Sequence, residues 1–146
     1  MEGVEKMSNE QLKEKVLKLI SHHKNGVLST VENNKPHSRY MTFYNDHFTL
    51  FTPTKLNQEK IEEIENNNAV SVLLGYEGNG LSDEYVEISG VAELNKSQDL
   101  KTKFWEESFK QWFEGPDDPN YVFIQIQPKI IRLLNTQGVP SEELVL

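Results

Sequence analysis

The sequence predicts a mainly β fold, a small antiparallel barrel of Greek-key type with about six to seven strands and three helices laid over its openings. Three observations carry this reading. Several stretches alternate with a period of two and are joined by short turns rich in Asn, Asp, Gly and Pro. Strands and helices do not alternate along the chain, which disfavours a parallel, doubly wound sheet. An open meander would expose its edges, whereas closing the sheet removes them.

At 146 residues the chain suits one domain, with a core over 8–134 and a tail over 135–146. Its 15 Lys and Arg against 23 Asp and Glu leave a net charge of −8, which argues against nucleic-acid and anionic-membrane partners, since both need a concentrated positive face. The lack of cysteine excludes disulfides, thiol nucleophiles, iron–sulfur clusters and Cys-based zinc sites. The first residues, MEGVEKMSNEQ, lack the apolar run of a signal peptide, and no stretch approaches the roughly 18 apolar residues of a membrane span, so a cytoplasmic protein is expected.

Ser8 with Gln11 makes a capping-box signature, and Leu12, Val16, Leu19 and Ile20 follow at helical spacing, which predicts a first helix over 9–23 with Gly26 as its left-handed stop. His22, His23 and Lys24 suit the negative end of that helix's dipole. Adjacent helical positions point about 100° apart, so the two histidines are poorly placed to share a metal. His37 and His47 are scattered in a strand and a turn, and neither a metal nor a haem site is expected.

From Gly26 the period changes to two, with Val27, Ser29 and Val31 on one face and Leu28 and Thr30 on the other, as far as a turn over 32–36. A second strand is predicted over 37–44, and a third over 48–52 that is stopped by Pro53. Asn57 is placed as the cap of a short helix that carries Ile61 and Ile64 on one side and ends in the run Asn66, Asn67 and Asn68. Apolar runs over 69–76 and 85–94, either side of the loop GYEGNGLSDE, read as a long hairpin in which Gly90 marks a bulge or a close backbone approach. A helix over 98–113 aligns Leu100, Phe104, Ser108, Phe109 and Trp112 in one stripe flanked by Trp105 and Phe113, a pattern of core or interface. The prolines of 114–120 end it. Strands over 121–127 and 130–134 follow, separated by Pro128, and the tail reads as loose unless a partner docks it.

The stretch 35–60 gathers the groups best suited to gripping a phosphate. Arg39 stands in a strand, Thr52 and Thr54 follow the next, and Lys55 and Lys60 lie in and just after the loop. Arginine offers a planar fork of donors, lysine a mobile charge and threonine a hydroxyl, so together they can hold a dianion. Lys60 falls in the first turn of the predicted helix, where an ammonium opposes the dipole unless an anion is bound there. The plain alternative is a surface hairpin bearing ordinary solvated cations.

Three segments carry a family likeness: Lys110-Gln111-Trp112-Phe113-Glu114-Gly115-Pro116-Asp117-Asp118-Pro119, Tyr85-Val86-Glu87-Ile88-Ser89-Gly90, and Lys35-Pro36-His37-Ser38-Arg39-Tyr40-Met41. With them the chain resembles, over 10–134, the pyridoxamine-phosphate-oxidase-like FMN-binding split barrels, in the branch called general stress protein 26. Members are homodimers that hold FMN at the subunit interface. The resemblance implies that Arg39 approaches the flavin or its phosphate and that Tyr40 and Met41 offer backbone contacts beside the ring. It further implies that Thr52 supplies the hydroxyl ending the next strand, that Lys60 binds phosphate, and that Trp105 faces the partner's flavin. The loop between Thr52 and Lys60 is longer than is usual in the branch, which puts Thr54 or Lys55 forward in place of Lys60, and Leu133-Leu134-Asn135 replaces an aromatic-acidic pair. The function implied is that of an FMN-dependent oxidoreductase. The alternatives are a flavin-binding stress or carrier protein without turnover and a cofactor-free split-barrel dimer.

Overall fold

The computed structural model describes residues 7–136 and 141–146. Its strands are β1 (Asn25–Glu32), β2 (Lys35–Thr42), β3 (Tyr44–Asp46), β4 (Thr49–Lys55), β5 (Ala69–Leu74), β6 (Tyr85–Asn95), β7 (Tyr121–Leu134) and β8 (Glu142–Val145). Three α-helices accompany them, α1 (Asn9–His22), α2 (Glu59–Asn66) and α3 (Gln98–Lys103). All the strands join one antiparallel sheet in the order β2-β1-β5-β6-β7-β4-β3, with β8 added to β7. Because β5, β6 and β7 form a meander and β4 lies against β7, the long connection through α2 completes a Greek key. The expected antiparallel barrel is present and split, with β2 and β3 at the two ends of the strand order.

The capping box forms as the sequence implies: Gln11 N–H donates to Ser8 Oγ at 3.2 Å and Ser8 N–H to Gln11 Oε1 at 2.9 Å. Leu12, Val16 and Ile20 of α1 and Ile61 and Ile64 of α2 then bury against Leu28, Val72, Ile88, Ile126 and Ile131 of the sheet. Gly26 does not stop α1, which ends at His22 and is followed by extended backbone at His23. The glycine lies in β1, where a Cβ would stand 2.4 Å from the Leu73 carbonyl oxygen, so its role is close strand approach. His23 bridges α1 to the loop between β5 and β6, its Nδ1 at 2.8 Å from the Leu19 carbonyl and its Nε2 at 2.9 Å from Glu77.

Both prolines expected to end strands lie within them. Pro53 pairs with Phe123 inside β4. There β3, which pairs only as far as Phe51, has already left one side of β4 open, and a missing N–H costs nothing. Pro128 lies within β7, which runs unbroken from Tyr121 to Leu134. The register shifts here, since Ser89 faces Ile130 while Gly90 faces Pro128, leaving Lys129 as the extra residue of a bulge. Gly90 is the close approach that this bulge requires: a Cβ would lie 2.3 Å from the Gln127 carbonyl oxygen.

The aromatic segment is not one helix. α3 stops at Lys103, backbone at Glu106 is extended, and a 3-10 turn covers Glu107–Gln111. The break lets Phe104, Trp105, Phe109 and Phe113 all reach one cluster with Phe51, Tyr121 and Phe123, which burial favours over helical continuity. Asn57 does not cap α2 either; Gln58 holds the cap position and its side chain makes no capping bond. The tail expected to be loose contains β8, with Leu144 buried in the main core, while 137–140 lie outside the described residues. Among the described residues no helix is long and apolar enough to cross a membrane.

Gly90→Ala forces a methyl into the Gln127 carbonyl and is expected to destabilise the fold by about 3 kcal/mol, read as a lowered urea midpoint. An unchanged midpoint would mean that β6 and β7 can part without cost.

Candidate functional site

Where the barrel is split, β2 and β4 bound a groove of about 630 Å³. Its walls are Asn25, Tyr40, Met41 and Thr42 on one side and Pro53, Thr54, Lys55, Gln58 and Lys60 on the other, with Phe109, Trp112 and Phe113 completing it. Lys55, the last residue of β4, pairs with Tyr121, and the loop that follows is tied down where Leu56 N–H donates to the Asn120 carbonyl at 2.9 Å. Lys55 and Lys60, rivals in the sequence reading, thus share one cavity. Lys60 Nζ donates to Gln58 Oε1 at 3.1 Å. Burial, and then the neighbouring Arg39 guanidinium, hold its ammonium below the ordinary lysine value, with Glu63 partly offsetting them. A cation so placed gains from an incoming anion.

On β4 the hydroxyls of Thr52 and Thr54 are buried, the residues 0% and 5% exposed, and neither has a hydrogen-bond partner among the described residues. Thr54 lies in the groove wall; Thr52 lies deeper, outside the lining. A donor left unsatisfied beside two lysines is where an acceptor such as a phosphate oxygen fits.

Arg39 stands beside the groove, not in its lining. Its Nη1 donates to Thr30 Oγ1 at 2.8 Å and to the Leu28 carbonyl at 3.3 Å, and its Nη2 to Glu63 Oε1 at 2.8 Å. Glu63, only 3% exposed, also accepts from Thr30 Oγ1 at 2.7 Å, and its other oxygen lies 3.1 Å from His37 Nδ1. Burial alone would push this carboxyl up, but the Thr30 hydroxyl, the Arg39 guanidinium and His37 outweigh it and hold it below the ordinary glutamate value. Glu32, His37 and Glu63 also converge, with potential ligand atoms within 4.8 Å of one another. The guanidinium already supplies the positive charge that this carboxylate needs, so the group reads as an ion-pair network.

The family pattern described as pyridoxamine 5'-phosphate oxidase matches residues 12–135. The chain belongs to the pyridoxamine 5'-phosphate oxidase family. It is 50% identical over 129 residues to general stress protein 26 of Bacillus subtilis (strain 168), an alignment covering 88% of this chain and 92% of that one. The crystal structure of general stress protein 26 from Bacillus anthracis str. Sterne superposes with a TM-score of 0.83 at 43% identity, covering 93% of this chain and 99% of that chain. A haem-binding protein from Mycobacterium smegmatis shares the fold alone, with a TM-score of 0.73 at 14% identity over 97% of this chain and 60% of that one.

Within this member of the pyridoxamine 5'-phosphate oxidase family, Tyr40, Met41, Thr54 and Lys60 meet in one groove, whereas Arg39 and Thr52 flank it. Trp105 is not in the lining but packs edge-on behind it, against Phe109 of the groove wall at 5.5 Å and Tyr121 at 5.4 Å. The tryptophan in the groove is Trp112, which is 55% exposed. Sequence reasoning missed Glu63 and Thr30. One signal was available: Thr30 shares a strand face with Leu28, and a hydroxyl on a core-facing position must find a partner.

Arg39→Ala leaves the Glu63 carboxylate buried without its cation and is expected to cost about 3 kcal/mol of stability, measured by urea unfolding. Because the folded pKa of Glu63 is depressed, its contribution is present above the unfolded value of about 4.3 and is lost as pH falls through the folded one. Glu63→Gln, with no charge to lose, should therefore show a shallower fall of stability in acid, and equal slopes would overturn the assignment.

Proposed function

We propose that this chain is an FMN-binding flavoprotein, an oxidoreductase of the pyridoxamine-phosphate-oxidase class that works in the cytoplasm as a homodimer. The observation that carries this reading is the unpartnered hydroxyl of Thr54, buried in a groove wall with Lys55 and Lys60 on the same side and aromatic rings completing the cavity. A buried hydroxyl without an acceptor costs about 1–3 kcal/mol, and a phosphate oxygen relieves it. Thr54 would donate to the phosphate, the two lysines would balance its charge, and Tyr40, Met41 and the aromatic wall would flank the flat ring. When bound, FMN supplies reversible hydride and electron transfer, which no side chain of the groove provides. The likeness to general stress protein 26 supports a role under stress.

Exposed apolar side chains support the pairing of two copies. Tyr40 is 84% exposed, and Leu73, Tyr76 and Trp112 are also open to solvent. A second cavity of about 330 Å³, lined by Leu73, Tyr76 and Tyr85, shares Asn25 and Tyr40 with the groove. The surface that a partner would cover thus runs on from the proposed flavin site.

Titration with FMN, followed by flavin fluorescence on protein of known oligomer mass, is expected to saturate at one FMN per chain in a dimer. A dimer that binds no FMN would overturn the flavin assignment. Thr54→Val separates the two consequences of the orphan hydroxyl. It should weaken FMN by about tenfold or more while leaving the melting temperature of the flavin-free protein unchanged or raised. Lys60→Ala should weaken FMN more than Lys55→Ala, because the Lys60 ammonium is the one already pushed down by its surroundings.

A further inference from the structure

We propose that Glu63 sets how tightly the groove holds a phosphate dianion, acting through Arg39 as a built-in counter-charge. The inference rests on the flavin reading and deepens it. Arg39 has five donors, and three of its N–H groups are spent on Leu28, Thr30 and Glu63. Its charge is met at 2.8 Å by a carboxylate that water scarcely reaches. A dianion entering the groove therefore encounters Arg39 and Glu63 as a nearly neutral pair. Lys60 and Lys55 supply the remaining attraction, and a poorly screened negative charge lies behind them.

The charged and titratable groups that meet Glu63 come from three elements: Glu32 on β1, His37 and Arg39 on β2, and Lys60 on α2. One further negative group, Glu32, stands among them, and His37 adds a positive charge only when protonated. The arrangement holds the arginine in one orientation and moderates its pull, as suits a ligand that must come and go.

Glu63→Gln tests this without dismantling the network. The amide oxygen can accept from Thr30 and Arg39 as Oε1 does, and the amide N–H can donate to His37 Nδ1. FMN and inorganic phosphate should each bind about tenfold more tightly to E63Q, whereas riboflavin, which lacks the phosphate, should bind as it does to the wild type. Equal or weaker FMN and phosphate binding would overturn the proposal, as would a parallel change for riboflavin, since a purely structural role moves all the probes together. Should E63Q not fold, His37→Lys places a permanent cation against the same carboxylate from a side chain 43% exposed, and the same tightening is expected. Phosphate binding that tightens in a protein that takes no FMN would sink the flavin reading and keep this one. FMN binding indifferent to the substitution would do the reverse, and a groove that binds neither anion would end both.

Discussion

A strand has only two edges, and the fold is arranged around how β7 uses its own. One edge is taken along most of its length by β6, from Tyr121's neighbourhood to Leu134. The other is divided: β4 pairs with the first part, through Ile126, and β8 with the last, from Ile130. Between these partners lies the bulge at Pro128 and Lys129, where the residue without an N–H meets the residue without a side chain. The irregularity marks the handover from one neighbour to the other. Because β4 is held by this strand as far as its last residue, its end carries Thr54 and Lys55 to a fixed place opposite β2.

The groove is asymmetric in the way its walls are held. On the β4 side the polar groups are poised but unsatisfied, with orphan hydroxyls and a lysine whose charge is poorly accommodated. On the β2 side the arginine is already satisfied by oxygen acceptors from β1 and α2. Pre-organisation and attraction are thus assigned to different residues. The haem-binding relative in fold shows why the architecture alone does not choose a ligand; the choice lies in which groups line the split.

How legible this was in the sequence depended on the range of the interaction concerned. The Ser8–Gln11 box is local, encoded within four residues, and forms as read, whereas Gly90 signals a close approach by its lack of a side chain even though what approaches it, Gln127 and Pro128, comes from another strand. Pro53 and Pro128 misled because the rule for proline concerns which side of a strand has a neighbour, a property of the sheet and not of the residue. The helix over 98–113 failed because a helical stripe and a two-part aromatic cluster place rings at similar spacings, and tertiary burial decided between them. The polar wall of the groove was legible as composition, since Thr54, Lys55 and Lys60 stand close together in an acidic chain and all line it. The role of Arg39 was not, because its partner Glu63 comes from a different element and looks like any surface glutamate of a charged helix.

The divided edge of β7 also bears on how the sheet is kept from pairing with other chains. β8 follows every other described element in the chain, yet its Leu144 is 1% exposed and its backbone covers the second half of a fourteen-residue strand. If β8 were detached, Ile130 to Leu133 would present an unpaired edge on the opposite side from β6. Without β8, the longest strand of the sheet would also be its most exposed template for pairing with another chain, so this short strand protects an edge as well as filling the core.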